Sequence, residues 1–186
     1  EFAFVAACNS GDTPMDAAVL ERLAAIGRRA WLRTLDNRLG VSRAELARMD
    51  SFSGPAAPVR ESLLMDRPEH IIARGEKDML DPRNPWGFKI TPPQALYNRG
   101  ELYNLSVRHG TLTEEERYKI NDHITQTIIM LEAMPLPKPL RSVPEIAGAH
   151  HETMDGKGYP RGLKREEMSW QARMMAVADI FEALTA

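Results

Sequence analysis

The sequence predicts an all-α protein, and three observations lead to that prediction. Apolar residues recur at the three- and four-residue spacing of one helix face in several stretches of the 186-residue chain. Helix-start signals precede these stretches, in which a Thr or Ser is followed three residues later by an acidic residue. No segment alternates between apolar and polar residues well enough to predict a substantial sheet.

The first predicted helix runs from Thr13 to about Leu32. Thr13 is its predicted N-cap, Pro14 takes the first helical position and Asp16 lies three residues after the cap. One apolar stripe follows at helical spacing, made of Leu20, Leu23, Ala24, Gly27, Ala30 and Trp31. A shorter helix is predicted over residues 42–49.

Residues 51–99 form a long irregular segment. Prolines interrupt any periodicity there at positions 55, 58, 68, 82, 85, 92 and 93. A segment of this length without elements of its own is typical of a functional loop or an insertion, so we expect a long irregular insertion here.

Four helices are predicted after residue 100, over residues 101–107, 113–134, 142–152 and from Ser169 or Trp170 onward. The second of them begins with a capping box of Thr113 and Glu116. Its predicted buried face consists of Ile120, Ile124, Ile128 and Leu131. The third is predicted to begin with a second capping box, formed by Ser142 and Glu145.

Composition and charge exclude several classes of protein. A net charge of −2 provides no general basic field, so we expect no nucleic-acid partner. The single cysteine, Cys8, rules out an intrachain disulfide framework. No apolar run reaches the ~18–20 residues that span a bilayer, so we expect no transmembrane segment and a cytoplasmic location. A longer parent protein could still reach a membrane through other segments.

Three histidines stand where they could bind a metal ion. His123 is predicted to project from the buried edge of its helix, where the alternative is a core histidine bonded to a carbonyl. His150 and His151 end a helix and diverge by roughly 100°, so they share a site only if it is large or holds two ions. Their alternative is a favourable contact with the carbonyls at the helix end. His70 and His109 lie in or beside loops and are predicted to be exposed.

Asp179 is predicted to lie on an apolar helix face. That face also carries Ala172, Met175, Ala176 and Ala183. A carboxylate there is costly unless it is paired or binds a cation, and a buried salt bridge to an arginine is the alternative. Histidines with a carboxylate form the ligand set of Zn, Fe or Mn hydrolytic sites, in which two ions could hold a hydroxide and clamp a phosphoryl group.

Residues 154–163, MDGKGYPRGL, form a glycine-rich and basic loop. They lack the GxxxxGK[ST] pattern of a nucleoside-triphosphate cradle. The glycines permit unusual backbone angles, and Tyr159 before Pro160 makes a stiff turn. The segment is either a simple connector or a platform beside the metal ions, with Lys157 and Arg161 near a phosphate and the Tyr159 ring available for contact.

The stretch HHETMDGKGYPRGL resembles the HHExxDGxGYPxGL signature of HD-GYP phosphodiesterases, a branch of the HD metal-dependent phosphohydrolases. Two flanking stretches, GTLTEEERYKINDHI and ARMMAVADIFEALTA, are similar to the LTxEE and ARxxAVADxxDALT helices of that family. The resemblance covers roughly residues 101–186, which it identifies as the C-terminal half of a catalytic domain built as a helical bundle. Residues 1–100 look like a helical and Pro-rich insertion that some members carry.

The resemblance also implies a set of site residues. The implied metal ligands, for two or three Fe or Mn ions, are His123, His150, His151 and Asp179. The implied substrate-side turn contains Gly158, Tyr159 and Pro160, with Lys157 and Arg161 as its cations. Glu152 and Asp155 would support the ligands from behind. The implied substrate is cyclic di-GMP, a bacterial signalling molecule, hydrolysed to pGpG or onward to GMP.

One part of the family pattern has no counterpart here. The HDxGK motif should precede the LTxEE helix, but no His-Asp dipeptide occurs in the sequence. The sequence begins without Met and its last helix stops in mid-pattern, so we expect a fragment with at most half a metal site. We expect such a fragment to be inactive by itself and assign no catalytic residue within it.

Two other functions were weighed against the enzyme. A degenerate domain of this family could bind diguanylate cyclases or other signalling domains through the Gly-Tyr-Pro turn without hydrolysis. A hemerythrin-like iron carrier, suggested by His-His-Glu, is disfavoured because His70 and His109 sit at the wrong positions for its further ligands.

Overall fold

The computed structural model describes residues 1–11, 13–50, 54–108 and 110–185. Across these residues the chain is predominantly helical, which confirms the predicted class, and it adds two small antiparallel ladders. The chain divides into two compact units. The first contains Glu1–Gly75 and Gln94–Glu116, and the second contains Glu76–Pro93 and Arg117–Ala186. The division of domains between residues 100 and 101 stays a prediction.

The first unit combines short helices with both ladders. In chain order its elements are α1 (Phe2–Ser10), α2 (Ala17–Gly27), β1 (Ala30–Arg33), α3 (Arg43–Met49), β2 (Val59–Ser62), β3 (Ile71–Ala73), β4 (Ala95–Asn98) and α4 (Glu101–Leu105). Strand β1 pairs with β2 and β3 pairs with β4, both antiparallel. Helix α4 contacts α1 and α2.

The first predicted helix is shorter than the sequence suggested. Asp16, not Thr13, caps α2, because its carboxylate accepts the backbone N–H of Val19 at 2.8 Å. The helix ends at Gly27, and residues 30–33 pair with β2 as a strand. A partner strand far along the chain thus overrides the helical spacing. The short helix is confirmed as α3, where Ser42 and Glu45 form a capping box.

Three further helices build the second unit: α5 (Glu114–Ala133), which begins in the first unit, α6 (Val143–Gly148) and α7 (Trp170–Thr185). The Thr113–Glu116 capping box is confirmed, with N···O distances of 2.9 and 3.2 Å. Ile124 and Ile128 are fully buried against Phe88. Ile120 is 52% exposed, so the predicted buried face is wrong at its first position.

The predicted capping box of α6 is wrong. Ser142 makes no side-chain cap bond. The Glu145 carboxylate instead accepts the Ser169 backbone N–H at 3.3 Å and its hydroxyl at 3.1 Å. Glu145 on α6 therefore bonds the residue that precedes α7, because the two helices pack together.

Helix α7 is buried on one narrow face only. Ala172 and Ala176 pack with Ala149 and Met168, whereas Met175 and Ala183 are exposed. The predicted apolar face around Asp179 is therefore covered only in part. None of the helices in the described parts of the chain has the length and hydropathy needed to cross a membrane.

Candidate metal centre

Three histidines converge in the second unit. His123 projects from α5, and His150 and His151 follow the end of α6. One ring nitrogen from each lies within 4.8 Å of the others. The closest pair is His123 Nε2 and His151 Nε2, 3.2 Å apart. Residues separated by 28 positions in the sequence therefore meet at one point.

Backbone carbonyls select the tautomer of two of these rings. His123 Nδ1 lies 2.6 Å from the Ile120 carbonyl, and His150 Nδ1 lies 2.6 Å from the Ala147 carbonyl. Because a carbonyl oxygen only accepts, each Nδ1 carries the proton and donates it. In the neutral form of each ring, Nε2 then keeps a free lone pair, which is how proteins prepare histidine as a metal ligand.

Asp179 orients the third ring. Its Oδ2 lies 3.4 Å from His151 Nδ1. Burial of the ring, then the neighbouring His150, lowers the pKa of His151 below its usual value, against the opposing effect of the Asp179 carboxylate. A neutral His151 with its proton turned toward Asp179 also has an unprotonated Nε2.

The residues present fit a divalent ion. The two Nε2 atoms face each other at 3.2 Å, a separation that either a proton on one of them or a metal ion bound by both accounts for. Two imidazoles on one ion, each with a metal–nitrogen distance of ~2.1 Å at a roughly tetrahedral angle, place their nitrogens about 3.2–3.4 Å apart. An all-imidazole set suits Fe or Zn better than Mn, which prefers oxygen ligands.

The structure positions two predicted ligands differently from the sequence expectation. His123 is exposed, not at a buried helix edge, although it does bond a carbonyl. Asp179 is partly exposed, and the contact recorded for it is His151 rather than an arginine. Within the described residues the converging ligand atoms come from the histidines, so direct ligation by Asp179 stays a prediction.

The remaining two histidines lie away from this group. His70 is half-buried in a short turn of the first unit, where its Nδ1 accepts the Arg67 N–H at 3.3 Å, so its predicted exposure is wrong. His109 lies outside the described residues.

Glu152, the residue after His151, binds the backbone of residues 161–163 and so holds that segment close to the histidines. Its side chain is buried, with 2% of the residue exposed. The carboxylate accepts three consecutive backbone N–H groups, from Arg161 at 2.6 Å, Gly162 at 3.1 Å and Leu163 at 2.7 Å. We call residues 153–163 the Gly-Tyr-Pro loop. Glu152 thus holds the far end of this loop beside His151.

Asp155 shapes the exposed tip of the Gly-Tyr-Pro loop. Its carboxylate accepts the Thr153 hydroxyl at 2.6 Å and the Lys157 backbone N–H at 3.1 Å. The hydrogen bond from Thr153, followed by that from the Lys157 backbone, lowers the pKa of Asp155 to about 2. Lys157 adds an ion pair at 3.4 Å while its side chain stays 86% exposed.

Gly158 lies where no side chain fits. A Cβ there would be 2.3 Å from the Thr153 backbone nitrogen and 2.5 Å from the Glu152 Cα. Both atoms belong to the backbone, so neither can swing aside.

Gly158→Ala is accordingly expected to destabilise the second unit by at least about 2 kcal/mol in urea unfolding, because the loop must move to accept a methyl group. Gly54→Ala is the matched control, since nothing lies within 4 Å of its Cβ position. Equal unfolding midpoints for the two variants would contradict the close approach.

Tyr159 links the loop to the histidines. Its ring stacks on His151 with centroids 4.8 Å apart and an interplanar angle of 26°. Its backbone N–H donates to the His151 carbonyl at 3.2 Å. Burial and the nearby Asp179 raise the pKa of Tyr159 above its usual value. The next residue, Pro160, is fully buried.

Arg161 is held by the protein itself. Its Nε donates to the Trp86 carbonyl at 2.9 Å, and its Nη2 lies 3.2 Å from Glu132. Its side chain is 20% exposed. The predicted contact of Arg161 with a phosphate stays a prediction, and Glu132 already balances its charge.

Sequence reasoning missed the segment that supplies Trp86. Residues 84–89 touch the Gly-Tyr-Pro loop, although the irregular region was expected only as an insertion. The available signal was turn chemistry, because Asn84-Pro85 and Trp86-Gly87 are turn-forming pairs within that proline-rich stretch.

Comparisons with known proteins complete the description of the centre. A family model described as HD domain matches residues 58–186. The 3'3'-cGAMP-specific phosphodiesterase 3 of Vibrio cholerae is 40% identical over 77 residues, which are 41% of this chain and 16% of that protein. The 3'3'-cGAMP-specific phosphodiesterase 1 of the same organism is 35% identical over 108 residues, 53% of this chain and 24% of that protein.

A longer alignment exists with another relative. The cyclic di-GMP phosphodiesterase response regulator RpfG of Xanthomonas campestris is 31% identical over 156 residues, 82% of this chain and 35% of that protein. The chain thus spans 16–35% of the length of these three relatives. No solved structure matches it.

Proposed function

This chain belongs to the HD domain family, in its HD-GYP branch, and we propose that its second unit provides metal ligands of a phosphodiesterase that hydrolyses cyclic dinucleotides. One observation carries the proposal. The Nε2 atoms of His123 and His151 face each other at 3.2 Å, with both Nδ1 atoms turned toward acceptors. This arrangement of three imidazoles fits a divalent ion.

The proposed ligands are His123, His150 and His151, with Asp179 either as a fourth ligand or as the acceptor that orients His151. A divalent ion bound there would supply Lewis acidity toward a phosphate oxygen and lower the pKa of water. Two or three ions, of Fe or Mn, remain our expectation. Any ion beyond the first would need ligands other than the three histidines.

The Gly-Tyr-Pro loop is the proposed substrate side of the centre. Lys157 and Arg161 stay the proposed phosphate-side cations, and Lys157 is the more accessible of the two, with 86% of its side chain exposed against 20% for Arg161. The buried Glu152 and the hydrogen-bonded Asp155 keep this loop folded toward the histidines.

The proposed substrate is cyclic di-GMP, hydrolysed to pGpG or onward to GMP. The relatives support the wider class of cyclic dinucleotides, because some carry the name cyclic di-GMP phosphodiesterase and others 3'3'-cGAMP-specific phosphodiesterase. A cytoplasmic location and inactivity of this chain by itself also stay predictions.

A second candidate is a binding module without hydrolytic activity. One observation favours it: the sequence has no His-Asp dipeptide, so the ligand pair that opens the family's metal site has no counterpart in these residues. In that case the Gly-Tyr-Pro loop would bind a diguanylate cyclase or another signalling domain.

The two candidates separate in one assay. The chain is loaded anaerobically with Fe²⁺ or Mn²⁺ and incubated with cyclic di-GMP and, separately, 3'3'-cGAMP, and linear products are measured by liquid chromatography. The phosphodiesterase proposal expects metal binding that His123→Ala abolishes, and any hydrolysis must cease with a chelator. Unaltered metal binding in His123→Ala contradicts the proposed centre. A native chain that binds neither metal ion but binds a diguanylate cyclase domain supports the binding module.

A further inference from the structure

Residues 84–89, which we call the Asn84 turn, form a loop closed by the Asn84 side chain and by a backbone hydrogen bond from the Gly87 N–H to the Asn84 carbonyl at 3.1 Å. The Asn84 Nδ2 donates to the Phe88 carbonyl at 2.7 Å, and its Oδ1 accepts the Phe88 N–H at 2.9 Å. Asn84 has a φ of 41°, in the left-handed region that few residues other than Gly and Asn adopt readily. The Asn84 side chain therefore provides two of the hydrogen bonds that close the turn.

The Asn84 turn forms hydrogen bonds with two neighbouring residues of the Gly-Tyr-Pro loop. The Lys89 backbone N–H donates to the Pro160 carbonyl at 2.7 Å, and the Trp86 carbonyl accepts Arg161 Nε at 2.9 Å. Phe88 is buried in a cluster with Ile124 and Ile128, and Tyr159 packs against the same cluster. The turn thus contacts Pro160 and Arg161 directly, and it contributes Phe88 to the cluster that Tyr159 packs against.

Tyr159 connects the Phe88 cluster with His151 of the proposed metal centre. Its ring, packed on the Phe88 cluster, stacks on His151, and its backbone N–H donates to the His151 carbonyl at 3.2 Å. Glu152 fixes residues 161–163 from within the motif, but it makes no recorded contact with Tyr159. The Tyr159 ring is therefore bordered by the cluster to which the Asn84 turn contributes Phe88.

We propose that Asn84 is a positioning residue for the metal centre, acting through Phe88 and Tyr159 to hold the His151 ring in its ligand orientation. This inference rests on the proposed function, because it assumes that His151 binds a metal ion. The contacts from Asn84 to His151 do not depend on that assumption. A turn that only stabilised the fold would lower stability without changing the surroundings of His151.

The test uses the whole chain at about pH 8, where imidazole is neutral. NMR measures the His151 ring-proton shift, which the stacked Tyr159 ring displaces, and amide hydrogen exchange at Lys89 and Tyr159. In Asn84→Ala the His151 shift is expected to move toward its value in Tyr159→Leu. Exchange at both amides is expected to accelerate about tenfold or more, since two hydrogen bonds are lost.

Three further variants make the result decisive. Asn84→Gly keeps the left-handed backbone but loses both side-chain bonds, so it is expected to behave like Asn84→Ala. Asn84→Asp keeps the acceptor for the Phe88 N–H and is expected to fall between native and alanine. Arg83→Ala, at an exposed residue paired with Asp81, is the matched control and is expected to change neither readout.

An unchanged His151 shift in both Asn84→Ala and Asn84→Gly overturns the proposal. If amide exchange at Ile124 and Ile128 accelerates as much as at Lys89, the second unit of that variant has unfolded, and Asn84→Asp becomes the deciding variant. The proposal is also overturned if a folded Asn84→Asp variant shows faster exchange at Lys89 but an unchanged His151 shift. Fe²⁺ binding by the native chain is measured in parallel under anaerobic conditions. Absence of binding contradicts the proposed function, while the NMR result still tests the positioning contact.

Discussion

His151→Ala is expected to weaken binding of Fe²⁺ or Mn²⁺ to this chain by at least about a hundredfold, since even partners outside the ligand shell are worth 10–100-fold. The variant removes one of the two nitrogens that face each other at 3.2 Å. It also removes the ring that Asp179 and Tyr159 contact. Isothermal titration under anaerobic conditions measures the dissociation constant. Any turnover by the native chain should be lost together with metal binding.

His70→Ala is the matched control for this prediction. His70 is the same residue type, lies in the first unit and bonds Arg67 instead of joining the cluster. Its metal affinity is expected to equal that of the native chain. Equal affinities of the His70 and His151 variants would mean that the three histidines do not bind the ion, and turnover retained by His150→Ala would lead to the same conclusion.

Glu152→Ala is expected to destabilise the second unit by about 3–5 kcal/mol, because three backbone N–H groups lose a buried acceptor at once. Urea unfolding followed by Trp fluorescence measures the loss. Glu152→Gln should lose less. Its carbonyl oxygen can still accept Arg161 and Gly162, but its NH₂ group then faces the Leu163 N–H, donor against donor.

Glu166→Ala provides the comparison for Glu152→Ala. It removes an exposed carboxylate in the same unit and is expected to change stability by less than about 0.5 kcal/mol. If Glu152→Ala unfolds at the same urea concentration as Glu166→Ala, the three hydrogen bonds contribute little. The Gly-Tyr-Pro loop would then need another anchor, of which the Asn84 turn is the first to examine.

Local patterns were sufficient for much of the helical prediction. The Thr113–Glu116 capping box lies within one turn, so the start of α5 follows from residues that are neighbours in sequence. The same holds for α3 and its Ser42 cap. The helix prediction is wrong where a distant strand forms hydrogen bonds with the segment. Ala30 and Trp31 continue a helical stripe, yet they form β1 because β2 offers a hydrogen-bonding ladder.

The candidate centre likewise contains features that follow from local sequence and features that depend on distant contacts. The His-His-Glu and Gly-Tyr-Pro motif is a local spacing, and it is enough by itself to indicate the family and the three histidines. Glu152 was expected only to support the ligands. Its bonds to the backbone at 161–163 depend on a loop that folds back over nine to eleven residues. The conformational preferences of the individual residues do not predict that this loop folds back onto Glu152.

The sequence by itself determined the helical class, the family and the residue types of the metal centre, because helix periodicity and motif spacing are properties of neighbouring residues. Only the tertiary structure decided that the Nε2 atoms of His123 and His151 meet at 3.2 Å, that Asp179 contacts the far nitrogen of His151, and that the Asn84 turn holds the loop. These contacts join residues 28 to about 75 positions apart, and burial of the shared Phe88 cluster brings them together.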